Sequence, residues 1–271
     1  MKRAIFVPNF GDLAEPQAFA DLAVEAETAG WDGIYIWDHI LITDGRPMTD
    51  PWVAMAAAAT LTDRIRLGPM VTPVPRRYPW KLSREVVSLD RLSGGRVDFG
   101  VGIGFPPEVE FGTFGHETDA RIRADKLDEG LDVITGMWTG EPFSFSGDYY
   151  RVEERTFLPT PIQEPRVPIW VAATWPNKRP FRRAARWDGV FPLKVEGDNF
   201  GKMSYDDIGE MAEYVSAHRT SNGPYEFVIG YDDAEDRSVE DLEGTGATWM
   251  FFNLYDAGAE TMAKVRSGPW R

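Results

Sequence analysis

Trp37-Asp38-His39 sits where a short apolar run, Gly33-Ile34-Tyr35-Ile36, ends. Histidine is the side chain whose ordinary titration lies near neutrality, so it can give or take a proton, and a neighbouring aspartate can orient it. A run that is apolar on both faces fits a parallel strand covered by helices, and in folds built from such strands the ligand site lies at their C-terminal ends. His39 is therefore the candidate acid or base, with Asp38 beside it. A second pattern is Gly100-Val101-Gly102-Ile103-Gly104, which closes another apolar run. It resembles a dinucleotide fingerprint, but Phe105-Pro106-Pro107 follows where a helix should begin. Gly102 and Gly104 instead suit either a tight strand-end turn or the close approach of a flat ligand to the backbone. Basic residues gather at Arg76, Arg77 and Lys81, and again at Lys178, Arg179, Arg182, Arg183 and Arg186. Asn177 is placed to cap a helix there. Cations in a helix's first turn suggest an anion such as phosphate held by free backbone N–H groups, the alternative being a solvated basic face.

These residues need elements to hold them. Candidate strands are Ala4–Val7, Gly33–Trp37, Ile65–Val71, Val97–Val101, Pro168–Ala172, Gly189–Phe191, Glu226–Ile229 and Thr248–Phe252, with helical spacing between them, as in Ala124, Leu127, Leu131, Ile134 and Trp138. Ala29-Gly30-Trp31-Asp32-Gly33 and Ala185-Arg186-Trp187-Asp188-Gly189 make alike helix-to-strand junctions. Repeated βα units with eight strands predict a (β/α)₈ TIM barrel, with a doubly wound open sheet as the alternative, since closure cannot be read from sequence. Residues 1–271 are expected to form one domain, interrupted by insertions at about 105–118 and 140–167, the second carrying a hairpin formed by Phe143–Ser146 and Tyr149–Val152.

Composition narrows the chemistry. The 43 acidic and 29 basic residues give a formal charge of −14, which offers no electrostatic footprint for nucleic acid or an anionic membrane. No cysteine is present, which excludes thiolate chemistry, and three dispersed histidines without HExxH spacing argue against a metal centre. No GxSxG elbow supports a serine hydrolase. The apolar run behind Met1-Lys2-Arg3 is too short for a signal peptide and no stretch is long enough to span a membrane, so a cytoplasmic location is expected.

Four ordered segments, AETAGWDGIYIWDH (Ala26–His39), Leu67–Gly104 with LDRLSGGRVDFGVGIG, DEGLDVITGMWTGEPFSFSGDYY (Leu127–Tyr150 region) and PIWVAATWPNKRPFRRAARWDGVFP (Pro168–Pro192), resemble the luciferase-like monooxygenase family of flavin- and F420-dependent barrel oxidoreductases. The resemblance implies a flavin-type ring across the barrel mouth. It implies His39 as the acid or base near the hydride-transfer atom, with Asp38 and Trp37 as its setting, and a non-prolyl cis peptide near Val71-Thr72 supporting the ring. The phosphate site would be Ala172-Ala173-Thr174-Trp175 with Asn177. An acid that some F420 dehydrogenases carry after the fourth-strand glycines is replaced by Phe105, which leaves Glu108 as the loop candidate. Trp37, Phe105, Phe111, Trp138 and Trp175 are expected around an apolar pocket for a small-molecule substrate. The cofactor is F420 or FMN, with the basic clusters favouring the anionic tail of F420, and the resemblance admits a homodimer. The competing readings are a flavin-binding protein without turnover and a cofactor-free barrel hydrolase or isomerase.

Overall fold

Eight parallel staves form the wall of a barrel in the computed structural model, which describes residues 1–196, 199–231, 242 and 244–269, with the backbone alone at 195–196, 199–200 and 231. In chain order the parallel strands are β1 (Lys2–Val7), β2 (Gly33–Ile36), β3 (Arg66–Pro69), β4 (Thr72–Pro73), β5 (Phe99–Gly102), β8 (Ile169–Trp175), β9 (Gly189–Glu196), β11 (Glu226–Tyr231) and β12 (Trp249–Asn253). An antiparallel hairpin, β6 (Pro142–Ser146) with β7 (Arg151–Thr156), stands apart, and β10 (Asn199–Gly201) folds back on β9. Strands β3 and β4 are two pieces of the third stave, so nine parallel segments make eight positions.

The sheet runs β3-β2-β1-β12-β11-β9-β8-β5-β4. A parallel bridge between Leu67 and Val97 joins its two ends, with Leu67 N–H donating to Arg96 O (3.1 Å) and Asp98 N–H to Leu67 O (3.0 Å). The open-sheet alternative is thereby replaced by a barrel. Closure is close-packed: a Cβ on Gly68 would lie 1.9 Å from Asp98 O, so only glycine lets the third and fourth staves meet.

Side chains alternate across the wall with the period of two that a strand imposes. Ala4, Phe6, Tyr35, Met70, Trp170, Phe191, Val228, Trp249 and Phe251 fill the interior, with Trp37, Val71, Ala172 and Leu193 packed on that cluster. Ile5, Val7, Ile34, Ile36, Ala173 and Trp175 belong to the other core layer, against the helices. Those are α1 (Pro16–Ala29), α2 (Pro51–Leu61), α3 (Pro79–Ser93), α5 (Ala120–Met137), α6 (Lys178–Ala184), α7 (Tyr205–His218) and α8 (Ala259–Arg266); a short turn, α4 (Pro107–Glu110), lies in the loop after β5. Gly30 ends α1 at φ 88°, a conformation that glycine adopts without Cβ strain, and its N–H bonds back to Glu27 O (3.2 Å). The chain then enters β2 three residues later.

Candidate functional site

At the C-terminal ends of the staves a cavity of about 460 Å³ opens, lined by Phe6, Trp37, His39, Val71, Phe105 and Phe191 among others. The wall is chiefly apolar, and Lys194, Asn253 and Tyr255 add polar groups.

The element that presents His39 is β2. Its ladder runs one residue past the strand, with Trp37 N–H donating to Val7 O (2.9 Å), and then the chain turns out across the rim. Asn9, wholly buried at the end of β1, holds that turn. Its Nδ2 donates to His39 O and to Thr49 O, each at 2.8 Å, while His39 N–H reaches Asn9 Oδ1 at 3.3 Å. The imidazole lies beside Trp37 (5.7 Å between centroids) and Phe10 (6.4 Å). Burial, and then the Arg76 charge, lower its pKa to about 4. The ring is thus neutral near pH 7.

The Asp38 carboxylate is engaged away from the His39 ring, in contrast to the expectation that it orients the imidazole directly. Alternation turns its side chain away from the barrel interior, where it accepts from Thr72 Oγ1 (2.8 Å) and Trp52 Nε1 (3.3 Å) and pairs with both Arg76 and Arg77. Burial raises the Asp38 pKa, but the Arg77 and Arg76 charges more than offset it and hold the carboxyl below its ordinary value. The first basic cluster is therefore spent on Asp38, with Lys81 paired to Glu85 at 2.6 Å.

His39 Nδ1 instead lies 3.0 Å from Glu110 Oε1. Glu110 comes from α4, its side chain 1% exposed, and it also pairs with Arg76. Glu108, the loop acid singled out from sequence, is exposed and does not border the cavity; the inward-facing acid is two residues on. A 4-residue turn started by Pro106-Pro107 sets which of the two faces in, and a sequence shows only that both are acidic. Asn9, two residues past the end of β1, is a further site residue, and an asparagine that close to a strand's C-terminal end is a usable signal for one.

A non-prolyl cis peptide is present, at Met70-Val71, one residue before the expected Val71-Thr72. Both Met70 and Val71 line the cavity, whereas Thr72 is buried on Asp38. The glycines permit close packing within the protein. A Cβ on Gly102 would meet Val71 Cγ2 at 2.7 Å, and one on Gly104 would meet Phe111 Cε2 at 2.6 Å. Gly104 and Phe105 border the cavity; Phe111 is buried beneath, with Arg123 4.8 Å over its ring.

Three expected site residues face the wrong way for the cavity. Ala173 and Trp175 alternate outward from β8 into the helix layer, and Trp138 packs there against Phe99 at 6.1 Å. Ala172 of that stretch packs on the interior cluster. Thr174 accepts the Asn177 N–H at its carbonyl (3.1 Å), and the Asn177 side chain reaches Thr174 Oγ1 (3.5 Å) and caps no helical N–H. The second basic cluster is largely paired across to α5: Arg183 with Asp128 (2.7 Å), Arg179 with Asp125, and Arg186 with Asp128 and Asp132 (3.7 Å each). Lys178 Nζ sits 3.3 Å over the Trp175 ring. These cations fasten α6 to its neighbours.

The described residues fit a flat, mostly apolar ligand. The volume falls within the roughly 300–1,000 Å³ typical of small-molecule sites. Trp37 Nε1 is buried without a hydrogen-bond partner, and a Cβ on cavity-lining Gly230 would meet no protein atom within 4 Å.

Comparison with known proteins agrees with this architecture. An F420-dependent glucose-6-phosphate dehydrogenase of Nakamurella multipartita is 35% identical over 167 residues, covering 59% of this chain and 48% of that protein. This chain thus matches about half the length of that relative. An uncharacterised protein of Mycobacterium tuberculosis is 28% identical over 277 residues, 92% of this chain and 91% of its own. Among solved structures, an F420-dependent secondary alcohol dehydrogenase in complex with an F420–acetone adduct superposes with a TM-score of 0.79 at 15% identity, over 98% of this chain and 97% of that one, a likeness of fold. The sequence profile described as luciferase-like monooxygenase matches residues 1–233, and the chain belongs to that family.

Proposed function

We propose that the protein is an oxidoreductase that binds F420 or FMN in the rim cavity and interconverts a small organic alcohol and its carbonyl form. The observation that carries this reading is the His39 imidazole, neutral and held by Glu110, on the border of an apolar cavity that Met70 and Val71 also line. A bound deazaflavin or flavin supplies the hydride acceptor or donor. The protein's own part is orientation and proton movement. Trp37, Val71 and Phe191 offer apolar surface to a planar ring, and Trp37 Nε1 offers a donor. Neutral His39 takes the hydroxyl proton as hydride leaves the substrate carbon, and returns it in the reverse direction. The apolar wall favours an uncharged substrate.

The lean toward F420 rests on the named relatives, because most of the basic residues that suggested an anionic tail are paired with carboxylates of the protein, Arg76 and Arg77 with Asp38 and Arg179 and Arg183 with α5. A cytoplasmic setting is part of the same reading.

Equilibrium titration of the protein with F420, FMN and FAD tests it. Tight F420 or FMN binding is expected. His39→Ala should keep that affinity and lower turnover about 10²–10⁴-fold, the usual worth of a positioned acid or base. Failure of all three cofactors to bind would overturn the proposal. Binding with no turnover on any alcohol or carbonyl compound would favour a carrier.

A further inference from the structure

Glu110 is buried, and both of its carboxylate oxygens are engaged. Its Oε1 lies 3.0 Å from His39 Nδ1 and accepts the backbone N–H groups of Ile40 (3.2 Å) and Leu41 (3.4 Å). Its Oε2 takes Arg76 and a second, longer contact from Ile40 N–H (3.4 Å). A carboxylate surrounded by a guanidinium and backbone donors is held in its ionised form. An ionised carboxylate has no hydrogen to give, so the hydrogen in the Nδ1–Oε1 contact belongs to the imidazole.

We infer that Glu110 is a positioning residue that locks His39 as the Nδ1–H tautomer and leaves the lone pair on Nε2. The ring is fixed at Nδ1 by Glu110, while its backbone is clamped on the other side by Asn9. Arg76 ties Glu110 to Asp38, and Arg77 pairs with Asp38 as well. Asp38 therefore acts on His39 at one remove, through Arg76 and Glu110. The lock draws on three segments: the end of β2, the turn between β4 and α3, and α4. That gives the loop after β5 a defined task, since only α4 brings a carboxylate to Nδ1 among the described residues.

The consequence for turnover rests on His39 being the proton-transfer group proposed above; the tautomer does not. Two-bond ¹H–¹⁵N imidazole spectra of uniformly ¹⁵N-labelled protein at pH 7 test it without cofactor. The chain has three histidines, and His39→Gln identifies the relevant signals. The expected wild-type pattern is a protonated Nδ1 and an unprotonated Nε2. Glu110→Gln should shift the ring toward the opposite tautomer and lower turnover about 10²-fold or more, with cofactor affinity unchanged. A wild-type ring with unprotonated Nδ1, or with both nitrogens protonated, would overturn the inference. So would an unaltered tautomer in a folded Glu110→Gln. If that variant fails to fold, the wild-type spectrum alone decides. Absence of cofactor binding would refute the proposed function while leaving the tautomer result standing.

Discussion

The imidazole of His39 shows how surroundings, more than residue type, set a group's chemistry. Its side chain is 22% exposed, and burial together with Arg76 keeps it neutral down to about pH 4, against 6.5 when free. The charged groups around it are Glu110, Asp38 and Arg76. Because the folded pKa lies below the unfolded one, the unfolded chain takes up a proton that the folded site refuses. Stability is therefore lost as pH falls from about 6.5 toward 4, and changes no further from this group below that. At pH 5 the loss is roughly 1–2 kcal/mol. Urea melts at pH 7 and pH 5 check this: His39→Gln should narrow the difference between the two by about that amount. The rim position of Trp37-Asp38-His39 was legible in the sequence, because an apolar strand ending in a polar triplet places it. Which carboxylate serves His39 was not legible. Successive strand residues point to opposite faces, so the adjacent acid is aimed away from the interior, and the serving acid arrives from 71 residues downstream.

Among the elements, the third stave is built in two pieces. It breaks between β3 and β4 at the cis Met70-Val71 bond, and each piece reaches the fourth stave separately, β3 through Leu67–Val97 and β4 through Thr72–Val101. Gly68 sits at that seam with no room for a Cβ, whereas Gly209 in α7 has no atom within 4 Å of one. Gly68→Ala should then cost about 1–3 kcal/mol or more by overpacking against backbone. Gly209→Ala should instead gain about 0.5–1 kcal/mol by restricting the unfolded chain and improving helix propensity. Chemical denaturation of the two variants in parallel measures both; a neutral Gly68→Ala would show that the seam is looser than described. Strand positions and the hairpin were legible here from periodicity and from Gly147-Asp148. The role of the α6 cations was not, because a basic run reads the same whether it awaits an anion or is already paired with Asp125, Asp128 and Asp132 on α5.

For the whole molecule, the barrel gathers the ends of its staves at one rim and thereby makes a cavity from residues as distant as Phe6 and Tyr255. A ligand that fills it binds the folded state alone, so free cofactor at about 100 times its dissociation constant should add about 2.7 kcal/mol of stability. For a chain of this size that corresponds to a rise in melting temperature of roughly 5–10 °C. Thermal melts with F420 or FMN check it. No rise at saturating cofactor would mean that the ligand does not engage the native barrel.

The sequence by itself determined the alternation of strands and helices, the placing of His39 at a strand's C-terminal end, and the exclusion of thiol chemistry. Each of these follows from local periodicity or from composition. Only the tertiary structure decided that the sheet closes, that Ala173, Trp175 and Trp138 face the helices, that Arg76 and Arg77 are consumed by Asp38, and that Glu110 rather than Glu108 meets His39. These outcomes depend on partners far apart in the chain, and a side chain's charge or size fixes what it can bind without fixing which partner the fold will bring to it.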